Sequence, residues 1–138
     1  MDINKFAQVR AAAMVPRRPS PWAKIGKNQQ LWDLGMPDID MEDDWMVAIY
    51  IKDFERQLDF VLLAEHFDES LVILALMLCW DVVDMRYLAH NARKADKVSN
   101  ITEEARRQLT NWLAADFQLY KHFEAKFLIE VQKYVLLL

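Results

Sequence analysis

All four prolines (Pro16, Pro19, Pro21, Pro37) and both glycines (Gly26, Gly35) fall within the first 37 residues of this 138-residue chain, and from Asp38 to Leu138 neither occurs. Proline and glycine are the strongest helix breakers, so the two parts must differ in kind. Residues 1–37 are expected to form a short helix around Asn4–Ala13 and then a Pro/Gly-containing arm. Residues 38–138 are expected to be mostly helical. The length suits one domain that buries about two-thirds of its unfolded surface. A hydrophobic content of 54% makes it core-forming.

Along the second part, Asp38, Asp40, Glu42, Asp43 and Asp44 put negative charge where a helix N-terminus favours it. Trp45, Ile49, Phe54 and Leu58 follow at roughly helical spacing, which predicts a helix near 42–57. Phe60-Val61-Leu62-Leu63-Ala64 reads as a buried strand near 60–64. Asp68 is a natural N-cap for the next helix, with Glu69 in its first turn. Leu71–Trp80 is ten apolar residues without a break, so this helix is expected to be buried on most sides and Cys79 with it. A strand delivered into a buried helix is half of a βαβ unit. Residues 89–101 form a polar, basic connection. Thr102 then caps a helix that opens with Glu103-Glu104. An apolar stripe through Leu109, Leu113, Phe117 and Tyr120, continued by Phe123 or Phe127, Val131, Tyr134 and Leu138, predicts one long helix or two end to end. The stripe drifts and is broken by Asp116, which excludes a heptad repeat. The fold class is therefore mostly α with one or two short strands.

Several classes of function are disfavoured. A formal net charge of −4 and a pI near 5.3 argue against nucleic acid, which needs a basic face. The single cysteine allows no intrachain disulfide. No stretch reaches the roughly 20 apolar residues of a membrane span, so no transmembrane segment is expected, and the N-terminus shows neither an anchor nor a signal core. No metal is expected. The Glu-x-x-His pairs of di-iron bundles are missing, since Leu63, Tyr87 and Leu119 stand three residues before His66, His90 and His122.

The wording of residues 59–127 is more specific than its periodicity. The segment AEHFDESLVIL, continued by LCW at 78–80, resembles the galactose-3-O-sulfotransferase family, of the galactosylceramide sulfotransferase type. That family carries a similar EYFDESLVLL…LCW segment. Upstream, Leu31-Trp32-Asp33-Leu34-Gly35-Met36 is similar to its FDLG-type segment. Downstream, Asp84-Met85-Arg86-Tyr87 and Leu88-Ala89-His90-Asn91-Ala92-Arg93 resemble its D-x-x-Y and L-N-A-R stretches. Ile101–Glu104, Asn111–Asp116 and Leu119–Phe123 resemble its closing helices. The resemblance runs from about Leu31 to Phe127 and implies the C-terminal portion of an α/β, P-loop-like sulfotransferase fold.

The resemblance implies transfer of a sulfonate from 3′-phosphoadenosine 5′-phosphosulfate (PAPS) to a galactose hydroxyl of a glycolipid or glycan. It also implies residence at the Golgi, in membrane or lumen. Donor phosphates in such an enzyme sit on backbone N–H groups and a lysine at a glycine-containing loop. Lys24-Ile25-Gly26-Lys27 has neither the spacing nor the preceding strand, so this chain alone is expected to be inactive. By resemblance, the basic loop of Asn91, Arg93, Lys94 and Lys97 is the candidate to close over the nucleotide, where a 3′-phosphate accepts charge-assisted hydrogen bonds. Glu65, at the C-terminal end of the expected strand, is the candidate base or hydroxyl-orienting group, with His66, Asp68 and Glu69 beside it. Position 66 carries histidine where the family pattern has tyrosine. Asn100-Ile101-Thr102 is an acceptor sequence for N-glycosylation at Asn100. The other reading is a non-catalytic helical module that binds a partner protein. A self-contained module should cover its apolar surface, whereas part of a larger α/β fold should leave some exposed.

Overall fold

The computed structural model describes residues 26–87 and 100–135. Five helices occur there: α1 (Gln29–Asp33), α2 (Asp44–Gln57), α3 (Phe67–Leu78), α4 (Glu103–Trp112) and α5 (Ala114–Val135). Short 3-10 turns lie at Asp40–Glu42, Ala64–His66 and Val82–Met85. The helix expected around Asn4–Ala13 and the first part of the arm fall outside the described residues. Within the remaining arm, α1 is a helix of five residues rather than loop. The chain divides into two compact units, one comprising Met1–Val47 and Asn91–Gln118, the other Ala48–His90 and Leu119–Leu138.

In the first unit, Leu31, Met36, Met41, Val47, Ala105, Trp112 and Ala115 are buried. The acidic stretch does what its charge predicts: Asp43 Oδ1 accepts the N–H of Trp45 at 2.8 Å and so opens α2. Thr102 Oγ1 accepts the N–H of Ala105 at 3.2 Å and opens α4, as its position implies. Gly26 has φ +83° and a Cβ there would meet Trp112 at 3.5 Å, so glycine is required by backbone conformation more than by space. Asp116, the residue that interrupts the apolar stripe, is buried. Its carboxylate accepts the N–H of Gln30 at 3.1 Å and of Leu31 at 3.0 Å, which caps α1 from elsewhere in the chain. Asn28 Oδ1 in turn accepts the N–H of Asp116 at 3.3 Å.

In the second unit, Leu63, Ile73 and Phe127 form a buried cluster, with Phe60, Val61, Tyr120, Val131 and Tyr134 packed against it. The strand expected over 60–64 is not formed. Residues 60–63 carry no ladder and Ala64–His66 turn as a 3-10 helix; among the described residues there is no strand for them to pair with. A strand needs a partner for its backbone groups. Here the Ser70 hydroxyl accepts the Leu63 N–H at 3.1 Å and lies 3.5 Å from the Leu63 carbonyl oxygen, which serves the polar groups a neighbouring strand would have taken.

Helix α3 differs from expectation in three ways. Its N-cap is His66, not Asp68, because the 3-10 turn delivers the chain into the helix two residues earlier. It buries Ser70, Ile73 and Ala75 but exposes Val72, Leu76, Met77 and Leu78, since one stripe alone meets the core of this unit. Cys79 is exposed, at φ 55° just past the helix end. There Trp80 N–H reaches the Ala75 carbonyl at 2.8 Å and Cys79 N–H the Leu76 carbonyl at 3.4 Å, the Schellman arrangement usually built with glycine. The C-terminal stripe makes two helices end to end, broken at Leu113. The buried face of α5 runs through Ala115, Leu119, Phe123 and Phe127, at intervals of four residues, and this leaves Phe117 exposed.

Candidate functional site

Glu65, His66, Asp68 and Glu69 lie in the second unit. The 3-10 turn Ala64–His66 holds Glu65 at the surface, where it makes no hydrogen bond with the described residues. His66 stacks on the buried Phe127 ring, with centroids 5.4 Å apart and planes at 27°. Its Nδ1 lies 3.9 Å from Glu69 Oε1. Asp68 accepts the Tyr87 hydroxyl at 2.6 Å, and the Tyr87 ring meets Phe67 edge-on at 4.9 Å. The FDES and DMRY segments, 19 residues apart at this bond, are thus tied to each other. Asp68 holds the Tyr87 hydroxyl above the ordinary phenol range, through that hydrogen bond first and partial burial second.

Tyr120 and Glu124, on α5, complete the group around the turn. Tyr120 donates to Glu124 Oε1 at 3.0 Å, and Lys121 Nζ lies 2.7 Å from Glu124 Oε2. The hydrogen bond to Glu124 raises the Tyr120 phenol, followed by burial and by the charge of Glu65. Lys121, then the Tyr120 hydroxyl, hold Glu124 below the usual carboxylate range, and His66 adds to this. Glu65, His66, Tyr120 and Glu124 therefore share one electrostatic neighbourhood. The arrangement offers a solvated carboxylate, an imidazole braced on an aromatic ring and a tethered phenol: groups that can bind and orient a hydroxyl. Tyr120 was legible only as part of an apolar stripe; its i,i+4 spacing to Glu124 was the available signal.

A second charged cluster lies in the same unit. Glu55 of α2 receives His122 Nε2 at 2.8 Å and Lys126 Nζ, both from α5. These contacts hold Glu55 below its usual range, the Lys126 hydrogen bond contributing most, against partial burial. His122 and Lys126 stand four apart and so share a face, but nothing local points to Glu55, 67 residues away from His122.

Asn91, Arg93, Lys94 and Lys97 lie outside the described residues. Asn100 is exposed, two residues before the Thr102 that caps α4. The described residues do not fit a phosphosulfate cradle. The turn at 26–28 leads into α1, but Asp116 takes the N–H groups of Gln30 and Leu31, so this helix start holds the protein's own anion. Among the described residues no group of three His, Cys, Asp or Glu side chains is placed to hold a metal ion, and no helix is long and apolar enough to cross a membrane.

Comparison with known proteins agrees with the ordered motifs. The sequence profile of the galactose-3-O-sulfotransferase family matches residues 5–135. Galactosylceramide sulfotransferase of Bos taurus is 39% identical over 109 residues, which is 78% of this chain and 26% of the relative. Galactose-3-O-sulfotransferase 2 of Sus scrofa is 36% identical over 101 residues, covering 73% and 25%. Galactose-3-O-sulfotransferase 3 of Mus musculus is 35% identical over 122 residues, covering 86% and 28%. The chain thus spans about a quarter of the length of the curated relatives it matches. No solved structure matches it. The chain belongs to the galactose-3-O-sulfotransferase family.

Proposed function

We propose that this chain is part of the machinery that moves a sulfonate from PAPS to a galactose hydroxyl of a glycolipid or glycan, and that alone it turns over no substrate. The observation that carries this reading is the family match across residues 5–135. The described residues supply the acceptor side. There the Glu65 carboxylate, at the surface beside His66 and near enough for its charge to act on Tyr120, accepts the hydrogen of the reacting hydroxyl. The donor side falls to Asn91, Arg93, Lys94 and Lys97, whose side chains bind the nucleotide's 3′-phosphate. The proposed compartment is the Golgi, with a glycan on the exposed Asn100. The domain division proposed is an N-terminal arm over 1–37 and a helical sulfotransferase portion over 38–138.

The exposed apolar residues of α3 and Trp80, 53% accessible, support this reading over a self-contained interaction module, whose surface would cover them. The test is calorimetry of 3′-phosphoadenosine 5′-phosphate, the desulfonated donor, with the purified chain and with Arg93→Glu/Lys94→Glu. Saturable binding that the double variant loses supports the donor assignment. A folded chain that binds none, or a variant that binds as well, removes it and moves the interaction module ahead.

A further inference from the structure

The second unit has a small solvent-open hollow of about 110 Å³ between the end of α2, residues 58–61 and α5. Its wall carries the carboxylates of Glu55, Asp59 and Glu130 against the single ammonium of Lys126, with Phe60 half-buried and Phe127 buried beneath. The Phe60 and Phe127 rings stand 6.2 Å apart. Glu55 is fixed by His122 and Lys126, and Glu130 is paired with Lys133 at 2.6 Å. Asp59 makes no hydrogen bond or ion pair with the described residues. Phe127 is shared with the candidate site, because the same ring stacks on His66.

We infer that this hollow receives one face of the terminal galactose of the acceptor, an inference that rests on the function proposed above. Charge decides between donor and acceptor. With Glu55 paired to Lys126 and His122 and Glu130 to Lys133, the Asp59 carboxylate is the uncompensated charge of the wall and disfavours a phosphosulfate, whereas carboxylate oxygens accept hydrogen bonds from neutral hydroxyls and bind them more strongly than neutral acceptors do. A pyranose has an apolar C–H face and a hydroxyl edge. The face lies on the Phe60 ring, whose π-cloud is negative, and the edge meets Asp59 and Glu130. The volume is below the roughly 300–1,000 Å³ of pockets for drug-sized ligands, so one sugar ring enters in part and the rest of the glycan stays outside. The Phe127 ring that lines the hollow also carries His66, so the hollow and the Glu65–His66 turn rest on one core residue.

The test is saturation-transfer NMR of the full chain with methyl β-D-galactopyranoside, beside Asp59→Asn, which keeps the side-chain shape, and Phe60→Leu, which stays apolar but removes the ring. Transfer to the galactoside is expected in the parent chain and about fivefold weaker affinity in each variant. Absence of transfer in the folded parent, equal transfer to methyl β-D-glucopyranoside, or unchanged affinity in both variants overturns the inference. Calorimetry of the donor product separates the two levels. Donor product bound without galactoside sinks the hollow alone, and neither ligand bound sinks the functional reading with it.

Discussion

The Asp116 carboxylate accepts the backbone N–H of Leu31 at 3.0 Å, across 85 residues of sequence. It also takes Gln30 N–H at 3.1 Å, so one buried side chain satisfies two of the orphan donors at the start of α1. Asp116→Ala should cost about 1–2 kcal/mol, the upper range for loss of a helix cap, because the donors are left without a partner. Asp116→Asn keeps one acceptor oxygen and should recover part of the loss. Urea unfolding of the two variants reads both values, and an alanine variant as stable as the parent would remove the cap from the account.

Ser70 has no solvent exposure, and its hydroxyl serves Leu63 seven residues earlier. Ser70→Ala leaves the Leu63 amide without its acceptor and should destabilise by about 1–3 kcal/mol. Ser70→Thr keeps the oxygen but adds a methyl group to a filled site, so it should destabilise as well. Amide hydrogen exchange distinguishes a local effect from a global one. In Ser70→Ala the Leu63 amide should exchange faster than those at Phe123 and Phe127 in α5.

What could be read from the residues was what depends on short spacing. The positions of α2, α4 and α5 follow from apolar recurrence, from the acidic start before Trp45 and from the Thr102 cap. The strand at 60–64 failed because an apolar run of five specifies neither pairing nor uniform burial: Leu63 is buried but Leu62 is exposed, and the hydroxyl that replaced the ladder comes from Ser70, inside a segment that read as helix start. Asp116 announced itself only as an intrusion into a stripe, and its partners, Gln30 and Leu31, carry no local mark. In the candidate site, Glu65 and His66 were legible as neighbours. Their company with Tyr120 and Glu124 was not, since contact across more than fifty residues leaves no trace in periodicity. The family resemblance supplied what spacing could not, by tying FDES and DMRY to one family before Asp68–Tyr87 tied them in space.

Cys79 occupies a left-handed position, φ 55°, at the end of α3. A side chain there costs about 1–2 kcal/mol relative to glycine, while glycine gives back roughly 0.5–1 kcal/mol through a more disordered unfolded chain. Cys79→Gly should therefore stabilise slightly, by less than about 1 kcal/mol. Cys79→Val, β-branched at a positive φ, should destabilise. Thermal unfolding of both variants checks the order. Because Cys79 is exposed, a thiol reagent should label it in the native protein without unfolding.

Glu55 gives the unit a defined response to acid. Its carboxyl is held below the ordinary range by Lys126 first and then by His122, against the opposing effect of partial burial. A depressed folded pKa means that the unfolded chain binds the proton more readily. The contribution of Glu55 to stability is therefore fully present above the unfolded glutamate value, about pH 4.3, and is lost as the pH falls through the lower folded value. Glu55→Gln removes this dependence. The difference in unfolding free energy between parent and Glu55→Gln should shrink on acidification below that point. A difference that grows below that point would mean that the pairing with Lys126 and His122 does not depress Glu55 in solution. Raising the salt concentration should weaken the Lys126 part of the effect, since that ammonium is 46% exposed and screened.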